Sequence, residues 1–289
     1  MKNILITGCS SGFGFNAAKY FADKGNNVYA TMRNVHGKNA EAASQLKAYA
    51  SANGVQLKVV ELDVTSDESV NNAFSQISNV DVLINNAGVG FGGPIEAFSS
   101  DQVLAQLDLN IVGTLRVAKA VLPGMREKKS GLIIQISSIA GRSAYPGFGV
   151  YNASKWGLEG VSEALRYELS PLGIDVVIVE PGPFSTDFFG NVIQAKDAEI
   201  ASAYNHISEF MEGFGQQVNS LYQDDNAPTD PRIVVEIFEN LINMPAGSRP
   251  LRTIAGIDFG NQALNDSTEP FRKAGLEAFG LSDWDGPRA

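Results

Sequence analysis

Short apolar runs alternate along this chain with longer stretches in which apolar residues recur at helical spacing. The runs are Ile4–Thr7, Val28–Thr31, Gln56–Leu62, Val80–Ile84, Leu132–Ile136 and Asp175–Glu180, with a weaker one near Leu251–Ala255. Helical patterns fall near 13–24, 38–52, 67–78, 100–128, 150–170 and 230–243. Strands this apolar are buried on both faces, and their alternation with helices predicts a parallel sheet covered on both sides. Right-handed crossovers then give an α/β, doubly wound (Rossmann) fold.

One interruption breaks the alternation, at 184–228. It carries Phe184, Phe188, Phe189, Tyr204, Phe210, Met211 and Phe214, too many aromatics for a solvated linker. An insertion after the carboxyl end of such a strand stands where ligands bind. That favours a helical lid over an apolar pocket, against a surface hairpin with its own small core. No linker, repeat or low-complexity tract divides the chain, so a single domain over 1–289 is expected. Its parts are a core at 1–183, the lid at 184–228, a last helix and strand at 229–260 and an extension at 261–289. The extension lacks a strong pattern and is compatible with an oligomer arm, a pocket rim or a frayed tail.

Composition narrows the function classes. The 289 residues carry a formal charge of −10 and 44% hydrophobic residues. That balance fits a globular protein and argues against nucleic acid or an anionic membrane as partner. A lone cysteine, Cys9, permits no intramolecular disulfide, and with only His36 and His206 there is no His/Cys metal cluster, so no metal is expected. The opening MKNILITG is too short an apolar run for a signal peptide. No stretch approaches the roughly 20 apolar residues of a membrane span. A soluble cytoplasmic protein is the expectation.

Chemistry begins at the first strand, which runs into TGCSSGFG at 7–14. Gly8, Gly12 and Gly14, with Ser10, Ser11 and Phe13 between them, form a turn that lets backbone approach a phosphate at a helix N-terminus. The spacing GxxxGxG departs from the more general GxGxxG, but its strand–helix setting is the required one. A Gly-rich turn without a ligand is the plain alternative. Where the second strand ends, the sequence reads Thr31, Met32, Arg33, with no acid to pair with a ribose 2′-hydroxyl. Arg33 suits a 2′-phosphate instead, which points to NADP(H) over NAD(H). Asp63 and Val64 follow the third strand, where a carboxylate meets an adenine amino group. Asn86, Ala87 and Gly88 of NNAG (85–88) close the fourth.

Tyr151 and Lys155, in YNASK at 151–155, lie one helical turn apart. A nearby ammonium favours the phenolate and lowers the tyrosine's usual value of about 10. Such a group suits general acid–base work. By itself, a Tyr/Lys pair at this spacing more often just covers a helix surface.

With the glycine motif, Asp63, NNAG and YNASK in this order, the chain resembles the short-chain dehydrogenase/reductase family. The likeness is close from residue 1 to about 190 and loose over 229–260. It implies a seven-stranded parallel sheet in the order 3-2-1-4-5-6-7, and homodimers or homotetramers. It also implies site residues, each by position. Ser138 in QISSIAG (135–141) matches the active-site serine, and Asn110 in LDLNIVG (107–113) the asparagine that steadies a proton-relay water. Tyr151 becomes the acid–base residue, and Lys155 lowers its pKa and binds the nicotinamide ribose. In PGPFSTD (181–187), Pro181, Gly182, Phe184 and Thr186 stand beside the nicotinamide.

The implied activity interconverts a carbonyl and an alcohol. Phe91, Tyr145, Phe148, Phe184 and Phe188 are expected as apolar walls, with Ser138 and Tyr151 at the reacting oxygen, so a medium-sized apolar ketone, aldehyde or alcohol is the expected substrate. A non-catalytic NADP(H)-binding sensor on the same fold is the rival. For subunit pairing, Val117, Val121, Leu158 and Leu165 are available, unless they face the sheet.

Overall fold

Seven of the apolar runs become strands of one parallel sheet in the computed structural model, which describes residues 1–288. In the first half, β1 (Asn3–Ile6), α1 (Gly12–Asp23), β2 (Asn27–Met32), α2 (Ala40–Asn53), β3 (Leu57–Glu61), α3 (Asp67–Phe74) and β4 (Val82–Asn85) alternate without exception. Then come the two-residue β5 (Phe91–Gly92), α4 (Ser100–Leu107), α5 (Gly113–Lys128), β6 (Gly131–Ile136), α6 (Gly149–Leu169) and β7 (Ile174–Pro181). The chain continues through β8 (Ile193–Gln194), α7 (Ala198–Ser202), α8 (Asn205–Tyr222), α9 (Arg232–Asn243), β9 (Arg252–Ala255) and α10 (Asn261–Ala278). The sheet order is β3-β2-β1-β4-β6-β7-β9. Counted over the seven sheet strands alone, this is the expected 3-2-1-4-5-6-7.

Two apolar layers flank the sheet. Ile4, Ile6, Ile134, Ile136, Val177 and Val179 meet α1, α2 and α9 on one face. On the other, Leu5, Leu83, Ile133 and Val176 meet α3 and α5. Because both faces are covered, the central strands are apolar on both sides and the alternation of a half-exposed strand is lost there. Val117, Val121 and Leu158 are buried within the chain's own core, and Leu165 packs against it. Val117, Val121 and Leu158 therefore face inward, toward the sheet.

The pattern at 100–128 is not one regular helix. Ser99 and Gln102 start α4 with a reciprocal capping box. Asp108–Val112 then forms a π-helical turn before α5 begins, and it carries the fully buried Asn110.

Two regions differ from expectation or add to it. The extension after 260 is an 18-residue helix, α10, not a frayed tail. Between β7 and α9 the chain folds back over the carboxyl ends of the strands. There β8 pairs in parallel with β5, Phe91 opposite Ile193, and Ile193 N donates to Gly90 O at 2.9 Å. That pairing ties the aromatic-rich segment to the loop after NNAG.

Candidate functional site

At the carboxyl ends of β1, β2, β3, β4, β6 and β7 lies a cavity of about 550 Å³. It sits where the strand order reverses between β1 and β4, the place where an open α/β sheet leaves a crevice.

One half is made of backbone turns. Gly8 adopts φ +71°, in the left-handed region, and a Cβ there would stand 2.7 Å from Ala87 Cα. A Cβ on Gly14 would lie 2.5 Å from both Gly8 O and Asn86 Nδ2. The turn is therefore closed against the end of β4, and Asn86 Nδ2 fixes it by donating to Thr7 O (2.9 Å) and Gly8 O (3.0 Å). Thr7 Oγ1 in turn accepts from the backbone amides of Asn86 and Ala87, each at 3.0 Å. This leaves the start of α1 open to the cavity, a cradle shaped for a phosphate.

Around the turn stand Ser10, Ser11, Gly12, Phe13, Arg33, Asp63, Val64, Ala87 and Gly88, all lining the cavity. Arg33 is exposed at the far end, beside Lys38 and Asn39. Asp63 Oδ1 accepts from Thr65 N at 2.9 Å and Thr65 Oγ1 at 2.7 Å, which holds the carboxylate at the mouth. Thr186 lies over Gly12, and Phe184 packs edge-on against Phe13 with ring centroids 5.3 Å apart.

The other half carries the acid–base groups. Tyr151 and Lys155 share the inner face of α6 and are both buried. Ser138 leaves the end of β6 in extended conformation, and its hydroxyl accepts from Ala140 N (3.1 Å) and donates to Pro181 O (3.3 Å). Ser138 and Tyr151 line the same cavity. Lys155 Nζ donates to Ile136 O at 2.7 Å and sits 5.8 Å from the Tyr151 ring centroid.

Burial reverses the expected direction of the tyrosine's shift. Loss of water pushes the Tyr151 phenol up to about 12, with the Ser138 hydrogen bond opposing. The same burial brings the Lys155 ammonium down to about 8, with the charge of Glu159 opposing. The amine faces a backbone carbonyl, not the phenol oxygen, so desolvation outweighs its influence.

Asn110 reaches the same centre from the π turn. Its Nδ2 donates to Ser154 Oγ (2.9 Å) and Val89 O (3.1 Å), and its Oδ1 accepts from Val89 N (3.3 Å). Its side-chain amide thus holds the chain after NNAG against α6. A π turn places a residue out of phase with its helix, which is why such turns gather at functional sites.

The whole arrangement matches a known family. The chain corresponds to the short chain dehydrogenase family over residues 2–197. It belongs to that family.

The short-chain dehydrogenase is 36% identical over 260 residues to human retinol dehydrogenase 8, covering 86% of this chain and 79% of that one. With human 17-beta-hydroxysteroid dehydrogenase type 1 it shares 34% over 249 residues, 84% of this chain and 74% of the other. With 3-ketodihydrosphingosine reductase of Bacteroides thetaiotaomicron it shares 42% over 192 residues, 65% of this chain and 66% of that enzyme. Among solved structures, a short-chain dehydrogenase from Streptomyces avermitilis superposes with TM-score 0.75 at 28% identity, over 96% of this chain and 97% of that one. A serine dehydrogenase complexed with NADP+ gives 0.72 at 27%, over 88% and 94%. The chain is an oxidoreductase.

Opposite the acid–base groups, the wall of this short-chain dehydrogenase is apolar. Tyr145, Phe148 and Phe188 line it as expected, joined by Phe189, Ile193, Phe214 and Phe259, which the sequence reading did not assign to it. Phe188 packs on Tyr151 at 5.5 Å, and Phe214 meets both Phe148 (5.8 Å) and Phe189 (6.0 Å). Phe91 does not reach the cavity. Its place in β5 turns it onto Phe98 and Val150 in a small separate core. The spacing of Phe210 and Phe214 on one face of α8 was the available signal for the wall's upper part. Among the described residues, no helix is long and apolar enough to cross a membrane, and no cluster of His, Cys, Asp or Glu suits a metal ion.

Proposed function

We propose that this short-chain dehydrogenase is an NADP(H)-dependent enzyme that interconverts a medium-sized apolar ketone or aldehyde with its alcohol. The observation that carries this reading is one cavity walled by the glycine turn, by Ser138, Tyr151 and Lys155, and by the aromatic segment at 184–228. The glycine turn and the start of α1 would hold the pyrophosphate of the cofactor, Asp63 its adenine and Arg33 its 2′-phosphate. Lys155 would hold the nicotinamide ribose, and Pro181, Gly182, Phe184 and Thr186 would flank the nicotinamide. When bound, the reduced nicotinamide supplies the hydride that reaches the carbonyl carbon.

The chain's own residues deal with the oxygen. Ser138 and Tyr151 donate hydrogen bonds where negative charge develops, and Tyr151 gives up its proton there. A phenol held near 12 keeps that proton at neutral pH, which suits the reductive direction. Oxidation of the alcohol needs the phenolate and is favoured as pH rises. Asn110 would keep the relay in register by holding Val89 and Ser154. The segment 184–228 acts as a lid, pinned at one end by the β5–β8 pair, and its phenylalanines exclude water from the reacting carbon. Retinol dehydrogenase 8 and 17-beta-hydroxysteroid dehydrogenase type 1, by their names enzymes of apolar alcohols, support the substrate class. A homodimer or homotetramer would pair through the α4–α6 side, where Leu104, Val112 and Trp156 are exposed.

An NADPH-oxidation screen across ketones and aldehydes tests the reading. Turnover is expected for neutral apolar compounds, and turnover confined to small, highly charged ketones would overturn it. Cofactor choice has a separate measurement. Arg33→Ala is expected to weaken NADPH binding about 10- to 100-fold, the worth of a charge-assisted contact. NADH binding should stay nearly unchanged, and equal losses for both would remove the basis for preferring NADP(H).

A further inference from the structure

Two backbone segments aim Ser138, and they leave the sheet at neighbouring strand ends. One is the turn at 138–143 after β6, whose Ala140 amide donates to the Ser138 hydroxyl at 3.1 Å. The other is the end of β7, whose Pro181 carbonyl accepts from the same hydroxyl at 3.3 Å. The turn has left the strand ladder, whereas the end of β7 is still paired on one side only, with Pro181 opposite Ala255 of β9 and Gly182 N donating to Ala255 O at 2.9 Å.

From the cavity side, Asn152 of α6 holds the turn by donating to Ala140 O (2.9 Å) and Ser143 O (3.0 Å). From behind, α10 holds it. Arg142 Nε donates to Asn265 Oδ1 at 2.9 Å, Arg142 Nη2 to Thr268 Oγ1 at 3.0 Å, and Ser143 Oγ to Asn261 Oδ1 at 2.8 Å. Asn265 Nδ2 meanwhile donates to Glu180 Oε2 at 2.5 Å, and Glu180 is the residue before Pro181. The carboxamide of Asn265 thus accepts from one segment and donates to the other. Asn261, Asn265 and Thr268 share one face of the helix, facing inward.

We propose that α10 is a positioning element of the catalytic centre, with Asn265 locking the 138–143 turn to the end of β7 and so fixing the Ser138 hydroxyl against the substrate oxygen. The catalytic half of this statement rests on the carbonyl–alcohol reading above, while the structural half does not. Asn265 touches neither substrate nor cofactor; it acts through Arg142 and Glu180. Arg142 is half-buried, while Glu180 lies in a charged, dry setting. Glu180 is fully buried, Arg252 lies 3.5 Å from it and 2.8 Å from Glu159, and Arg252 also bonds Glu163. Burial, reinforced by the charge of Glu159, pushes the Glu180 carboxyl up. On α10 itself, Asp266, Glu269 and Arg272 are the neighbouring charged groups.

The test compares Asn265→Ala and Asn265→Asp in the full chain, by hydrogen–deuterium exchange at 139–143 and by kcat, KM and NADPH affinity. Both variants are expected to speed exchange in that turn and to lower kcat by up to about 100-fold, the effect of a small misplacement at a reacting centre. NADPH affinity should stay near wild type. The aspartate variant carries a second signature. Two carboxyls that share one proton can keep the link to Glu180 and accept from Arg142, as the amide does; once that proton is lost, two like charges face each other. The ratio of its kcat to wild type should therefore recover as pH falls, and that of the alanine variant should not.

Unchanged exchange at 139–143 would overturn the proposal, as would faster exchange with unchanged kcat, or equal and pH-independent losses in both variants. If the Asn265 variants do not fold, Ser143→Ala, which cuts only the link to Asn261, must still speed exchange in the turn. A wild-type chain that turns over no carbonyl would count against the enzyme reading alone, and the exchange comparison would still decide whether α10 holds the turn.

Discussion

Replacing Tyr151 by phenylalanine is expected to lower kcat by about 10²- to 10⁴-fold, the usual contribution of a positioned general acid. The fold should survive the change. The ring stays packed on Phe188 at 5.5 Å, and only the hydroxyl is removed. Ser138 keeps its partners at Ala140 N and Pro181 O, so no buried hydroxyl is stranded. NADPH affinity should be nearly unchanged, because the contacts proposed for its phosphates and adenine are made by the glycine turn, Arg33 and Asp63, which are not on α6. Steady-state kinetics with a titration of cofactor fluorescence separates the two effects. Unchanged turnover would refute the assigned proton donor, and a wild-type chain that binds NADPH but reduces nothing would favour the sensor.

The largest stability effect is expected at Asp175. This carboxylate is fully buried and bridges two buried guanidinium groups, Arg166 at 2.8 Å and Arg249 at 2.9 Å. Removing it by Asp175→Ala leaves two like charges facing each other in a dry interior. The cost of breaking a buried pair in this way is about 3–5 kcal/mol. It should appear as a lower urea midpoint with an unchanged slope. Arg166 also bonds Asp285 at 2.9 Å, which ties the end of the chain to the same network. If the measured loss is below about 1 kcal/mol, Asp285 has taken over the charge, and the central role given to Asp175 is wrong.

The sheet was legible because its strands are apolar on both faces, which leaves unbroken runs that few other structures need. Tyr151, Lys155 and the glycine turn were legible because their chemistry depends on short spacings along the chain. α10 was not, and the reason is physical. Its inward face is Asn261, Asn265 and Thr268 where a docked helix usually shows leucines, and Leu276 is its one buried apolar side chain. A helix held by amides leaves no hydrophobic period to find. The tyrosine's shift was misjudged because spacing reveals a neighbouring charge but not the loss of water. The aromatic wall was half read. Phe148 and Phe188 lie beside recognisable motifs, whereas Phe189 and Phe214 reach the cavity only through the fold of the segment that β8 anchors. Phe91 looked equivalent in sequence, yet its strand pairing turns it inward.

The π turn at Asp108–Val112 sets a fixed rotational offset between the two halves of one long helix. Each residue of an α-helix advances about 100° around the axis, so one extra residue in a turn offsets everything before it from everything after it by that angle. α5 can therefore set Val117 and Val121 into the core while α4 turns Gln102 toward the Gln194 carbonyl and Gln106 toward that of Val89. Shortening the turn by one residue would restore a regular helix and swing Asn110 away from Ser154. The length of that single turn is thus a phase setting, and it keeps the scaffold and the reacting groups from constraining each other's sequence.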